Sequence, residues 1–168
     1  DQQPLDHQRI GENVPSETLV LLQKLGVEAQ FSRGGHEPCP DFASVWGGKQ
    51  VGYNDFVVNP YGHSWRLNRH TFDMALVNKA SQLGVEILWN TRFIKANKRV
   101  LDDKAGHEIH VQTDSQDIRS IQADFVVDAT GSKATFAKGQ NVKKLVDDKL
   151  IAMVRFAQLE QPHKGKQV

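Results

Sequence analysis

Three groups of residues have types and spacing suited to chemistry. The first is Ala123-Asp124-Phe125-Val126-Val127-Asp128-Ala129-Thr130-Gly131, an apolar run closed by an acid, two small residues and a glycine. Glycine lets a backbone come close to a ligand. Ligands of open α/β sheets bind outside the carboxyl ends of strands. An acid at that end, Asp128, can accept a hydrogen bond from a ribose hydroxyl. The second group is Arg69 with Asp73 four residues on. A guanidinium is permanently charged and carries several donors, which suits phosphate or a ring carbonyl. The third is Glu12, just ahead of a helix start, which gains a chemical role only through the resemblance given below. Each group has an ordinary alternative: a core strand with a plain turn, an exposed helix-face ion pair, and an acid favoured near a helix N-terminus.

Other constellations carry less. His107 and His110 are three apart on an expected strand, so they point to opposite faces, which is poor metal geometry. His36 and Cys39 sit in a Gly/Pro-rich stretch without a partner pair, so zinc is not expected. Ser44, Ser64 and Ser132 lack the context of a nucleophile elbow. No catalytic residue is assigned, although His63 on an aromatic loop is available as a general acid or base.

The elements that must position these residues follow from pattern. Pro15-Ser16-Glu17 opens a helix over 15–25, with Leu19, Leu22 and Leu25 on its apolar face and Gly26 as its stop. Residues 27–66 hold many glycines and prolines and exclude a long helix. Short strands are expected at 42–46 and 51–58. The aromatics from Trp46 to Trp65 either line an aromatic-substrate pocket or form a satellite cluster under a long loop. A second helix covers 68–83, capped by Asn68 and ended by Gly84, with Phe72, Leu76, Ala80 and Leu83 on one face. An antiparallel meander spans 85–121, beginning with a strand at 85–89, with turns at 102–106 and 114–117. A strand over 121–128 is apolar enough to be buried on both faces, as in a parallel sheet covered by helices. A helical turn is expected at 142–146 and a strand at 150–159.

Composition bounds the rest. The chain has 168 residues, 39% apolar and 24% charged, enough for one ordinary globular domain. A net charge of +1 steers it to neither nucleic acid nor an anionic membrane. Basic residues do not cluster with the aromatics, which argues against base stacking. No apolar run is long enough to span a bilayer. Cys39 is the only cysteine, so no internal disulfide forms, and the first ten residues lack a signal pattern. A cytoplasmic location is expected.

Several segments resemble one family. Phe125-Val126-Val127-Asp128-Ala129-Thr130-Gly131 resembles the "ATG" segment of the flavoprotein fold shared by p-hydroxybenzoate hydroxylase and glutathione reductase. Arg69-His70-Thr71-Phe72-Asp73-Met74-Ala75-Leu76 looks like the "R-x-x-F-D-x-x-L" helix of flavin-dependent monooxygenases and halogenases. Gly11-Glu12-Asn13, followed by Leu21-Leu22-Gln23-Lys24-Leu25-Gly26, is similar to the "GES … LL-x-x-LG" stretch of the halogenases and of flavoproteins that modify peptides. Asn13 stands where halogenases usually have serine.

The resemblance implies an α/β fold of the FAD-binding type, with a β-meander and substrate-domain strands. It implies a single fragment over 1–168. Residues 9–30 and 68–135 belong to the FAD-binding part, 31–67 to an aromatic substrate-side or lid insertion, and 150–160 to the start of a substrate-domain strand. Glu12, Arg69, Phe93, Asp128, Ala129, Thr130 and Gly131 are the implied cofactor-binding residues, with Phe93 near the adenine and Gly131 on the adenosine and pyrophosphate side. Phe93 is otherwise a core aromatic. A Gly-x-Gly-x-x-Gly loop, the later "GD" segment and the tryptophan-rich halogenase motif are not found in the chain. The implied parent enzyme binds FAD, takes hydride from NADH or NADPH, and hydroxylates an aromatic or peptidyl substrate. The alternatives are halogenation, or a non-catalytic α/β binding module.

Overall fold

The structure, a computed structural model, describes residues 12–45, 47–55, 59–101, 104–148 and positions 151, 153 and 155. Two compact units divide the chain, one with the described residues up to Glu86 and one from Ile87 to Ile151.

In the first unit, Asn13–Val14 forms β1 and Thr18–Leu25 forms α1. The turn before α1 is closed by the Thr18 amide on the Pro15 carbonyl at 3.0 Å and the Leu19 amide on Ser16 at 3.1 Å. Gly26, at φ 67°, ends the helix and returns its amide to the carbonyls of Gln23 and Leu22. A left-handed residue there satisfies carbonyls the helix leaves open. A short helix not foreseen from the sequence, α2 (Glu28–Ser32), follows. Five residues are too few for a helical period to declare itself.

Next come β2 (Glu37–Cys39), β3 (Asp41–Val45), β4 (Val51–Asp55), β5 (Ser64–Arg66) and α3 (Arg69–Gln82). The strands β1, β5 and β2 make one antiparallel sheet in that order, and β3 and β4 pair as a hairpin. Both the hairpin and α3 fall where their sequence signals stand. Leu22, Val27, Phe31 and Leu67 form the core, with Val14, Leu19, Trp65, Phe72 and Leu76 packed on it. Leu83, expected on the apolar face of α3, is exposed. From the 31–67 stretch, Phe31, Cys39 and Leu67 are buried, while Tyr53 and Tyr61 are exposed.

The second unit is built on a meander of β6 (Arg92–Leu101), β7 (Lys104–Gln112) and β8 (Ile118–Ala123), antiparallel throughout. The register slips between Phe93 and Lys95, a bulge that re-aims the side chains on either side. Lys104 to Gly106, expected in a turn, are paired with Leu101 to Arg99. Gln116 at φ 64° turns the chain from β7 to β8. A 3-10 turn (Gly131–Lys133) and a short helix, α4 (Thr135–Gly139), complete the unit.

Two expected elements did not form, and the strand expected over 121–128 stops short, ending with β8 at Ala123. Residues 85–88 and 124–130 have no regular structure, and residues 142–146 are not helical. Val85 and Trp89 are exposed, and Phe125 and Val127 are 82% and 76% accessible. A strand buried on both faces needs neighbours on either side and helices above and below. Among the described residues, neither run has a strand beside it. The expected strand at 150–159 lies largely outside the described residues.

Candidate functional site

The first candidate group gathers at the N-terminus of α3. Asn68 has extended backbone, and its side chain accepts from the Thr71 amide, satisfying one donor a helix start leaves free. The Asn68 amide itself donates to Nδ1 of His36 at 3.0 Å. Thr71 Oγ1 donates to the Gly34 carbonyl at 2.6 Å. The first turn of α3 is therefore tied twice to residues 34–36.

Arg69 opens the helix. Its Nη1 lies 2.7 Å from Glu12 Oε1. Its Nε and Nη2 donate to the two carboxylate oxygens of Asp73 at 3.3 and 3.2 Å. Burial works to lower its pKa, but hydrogen bonding and charge from Asp73, joined by Glu12, outweigh this and raise it. The ordinary alternative for Arg69, an ion pair with Asp73, is thus formed, and Glu12 is brought into the same cluster. The Glu12 side chain is 63% exposed, against 17% for Asp73. Of the two partners, Glu12 is the loosely held one, because exposed ion pairs contribute little.

The second group is the loop after β8. Asp128 Oδ1 accepts from the Thr130 amide at 3.1 Å and the Thr130 hydroxyl at 2.6 Å. Its Oδ2 accepts from the Ala137 amide at 2.9 Å. The Thr130 hydroxyl oxygen in turn accepts from the Thr135 amide at 2.7 Å. The Thr130 hydroxyl first, then the Ala137 amide, holds the Asp128 carboxyl below its usual range. Asp128 therefore shapes the turn with both oxygens. Gly131 sits at φ 64°, and nothing lies within 4 Å of where its Cβ would stand. Ala129, Thr130 and Gly131 are exposed, so this backbone is open to approach.

Phe93 packs edge-on against Phe136, with ring centroids 5.9 Å apart. A Cβ on Gly139 would sit 3.5 Å from the Phe93 ring. Phe136 also meets His107 at 5.4 Å. This half-buried contact docks α4 on the meander. His107 faces Phe136 while His110 approaches Glu108, which agrees with their opposite faces. Among the described residues no group of three or more His, Cys, Asp or Glu could hold a metal. His63 lies against Trp65 at 4.5 Å, with Nδ1 near the Ser64 carbonyl.

The roles of His36 and of the Ala137 and Thr135 amides are not visible in the sequence. A backbone donor leaves no sequence signal, and nothing marks His36 as the partner of a residue 32 positions away.

Among the described residues no helix is long and apolar enough to cross a membrane. The family described as FAD binding domain matches residues 5–162. The flavin-dependent halogenase armH4 of Armillaria mellea is 28% identical over 131 residues, covering 73% of this chain and 25% of that protein. The halogenase armH2 of the same organism is 26% identical over 124 residues, with 73% and 24% covered. A solved flavoprotein/dehydrogenase from Cytophaga hutchinsonii superposes with a TM-score of 0.70 at 18% identity, over 89% of this chain and 37% of that one. The fold is thus of the flavoprotein type. The chain spans about a quarter of the length of the curated relatives it matches.

Proposed function

The chain belongs to the FAD binding domain family, and from that premise we propose that it forms the central part of the FAD site of a flavin-dependent oxidoreductase that activates oxygen. The observation that carries this reading is the Asp128–Gly131 turn. It is locked from within by Thr130 and Ala137, yet open on the Gly131 side. A rigid, exposed backbone turn with a left-handed glycine fits a bulky dinucleotide, which needs close main-chain approach.

Asp128 fits as the residue that shapes this turn, with Ala129, Thr130 and Gly131 as its contact surface. Arg69 fits at a helix start, where an anion is favoured. Exchange of the exposed Glu12 for a phosphate oxygen leaves Arg69 still held by both oxygens of Asp73. Phe93 supports the cofactor wall through its packing on Phe136 rather than through a polar contact.

FAD would supply the redox chemistry, and the residues above would orient it and exclude water from its site. NADH or NADPH is the proposed hydride source, and an aromatic or peptidyl compound the proposed substrate. Hydroxylation is the first reading. Halogenation is the second, favoured by the two halogenase relatives. A cytoplasmic location is proposed with it.

The test is FAD titration of the full-length protein, followed by flavin absorbance, and product analysis by mass spectrometry with and without chloride or bromide. A perturbed flavin spectrum that Gly131→Val abolishes supports the cofactor reading; an unperturbed spectrum refutes it. A mass gain of one oxygen without halide dependence selects hydroxylation, and a halide-dependent gain selects halogenation.

A further inference from the structure

His36 sits against the start of α3 without belonging to it. We propose that His36 is a positioning residue for Arg69: its Nδ1 accepts the Asn68 amide and thereby fixes the helix turn that presents the guanidinium. The claim rests on the reading of Arg69 as a cofactor contact.

A backbone N–H can only donate. Nδ1 of His36 must therefore carry its lone pair, and the neutral ring carries its proton on Nε2. Nε2 is buried and has no hydrogen-bond partner. The ring is gripped on several sides. Phe31 lies 4.3 Å away and Phe72 6.1 Å away, centroid to centroid. A Cβ on Gly34 would come within 2.6 Å of Nε2. The imidazole thus has little room to turn away from Asn68.

Protonation of Nδ1 would set one N–H against another and put a cation at the positive end of a helix dipole, beside Arg69. The surrounding elements offer little relief. Arg33 follows α2, and β2 carries Glu37, which pairs with Arg66 of β5 at 3.4 Å. On α3, Asp73 pairs with Arg69, which also holds Glu12, and His70 is the remaining titratable side chain of the first turn. Burial lowers the His36 pKa, so the neutral form is the folded one. Lowered folded affinity for a proton means the bond is intact above the ordinary value of about 6.5 and is lost only as pH falls through the lower folded value.

The experiment uses the full-length protein and three versions: wild type, His36→Asn and His36→Phe. Asparagine can offer an acceptor near the Nδ1 position but does not titrate. Phenylalanine keeps the ring packing and removes the acceptor. Two readouts are followed from pH 8 to pH 5: hydrogen exchange over residues 67–72, corrected for intrinsic rates, and FAD affinity by flavin fluorescence. In wild type, protection of this turn and FAD affinity should fall together with pH. His36→Phe should weaken FAD binding about five- to tenfold at pH 8, the cost of a lost cap-type bond, and flatten the profile. His36→Asn should recover most of that loss and stay flat with pH. Wild-type affinity and pH profile in His36→Phe, or a pH profile in His36→Asn like that of wild type, would overturn the proposal. If no version binds FAD, the cofactor reading fails, and the exchange data alone still decide whether His36 holds the turn.

Discussion

The unit ending at Glu86 and the unit beginning at Ile87 keep their shapes by different means. The first closes on Leu22, Val27, Phe31 and Leu67, with aromatic rings at Trp65 and Phe72 around Phe31. The second is a ladder of main-chain bonds, and Val111 is its single buried hydrophobic side chain among the described residues. One unit is organised by burial and the other by strand pairing. The candidate site residues follow the same division. Arg69 is aimed by packing and an ion-pair cluster, whereas the Asp128–Gly131 turn is shaped by hydrogen bonds within a few residues.

The contrast can be broken most directly at Phe31. Phe31→Ala removes the ring on which His36, Trp65 and Phe72 converge, and should cost about 3–5 kcal/mol in urea unfolding followed by tryptophan fluorescence. Val111→Ala should cost less, about 1–2 kcal/mol, because only two carbons leave a smaller buried site. Equal losses in the two variants would show that the meander depends on burial as much as the helical unit does. Asn68→Ala removes the side-chain acceptor for the Thr71 amide and should cost about 1 kcal/mol, read from the same unfolding curves.

The smallest effect is local. The Asp128 carboxylate, held down in pKa by Thr130 and Ala137, binds a proton less readily folded than unfolded. Its contribution is present above about pH 3.9 and fades as pH falls below that. Exchange of the Ala137 amide, corrected for intrinsic rate, should therefore quicken on acidification through that range. Unchanged protection of the Ala137 amide in Asp128→Asn at neutral pH would mean that the turn does not depend on the charge.

Much of the fold was legible. The Leu19/Leu22 face, the Asn68 cap and the Gly26 stop placed α1 and α3, and alternation with turn residues placed the meander. Two apolar runs misled. Val85 to Trp89 and Phe125 to Val127 have the composition of buried strands, yet both are open here. Composition makes a segment look like a strand, but a strand depends on a neighbour to pair with. The candidate site was legible in part: Arg69, Glu12 and Asp128 carry visible chemistry, while His36 and the amide donors do not.

What the sequence determined by itself was local: helix periodicity, caps, hairpin turns and the small-residue turn at Asp128–Gly131, since neighbours along the chain decide these. The tertiary structure decided which carboxylates hold Arg69, that His36 accepts the Asn68 amide, and which apolar runs became strands. Those outcomes depend on groups far apart in the chain, and no local pattern specifies which distant group arrives.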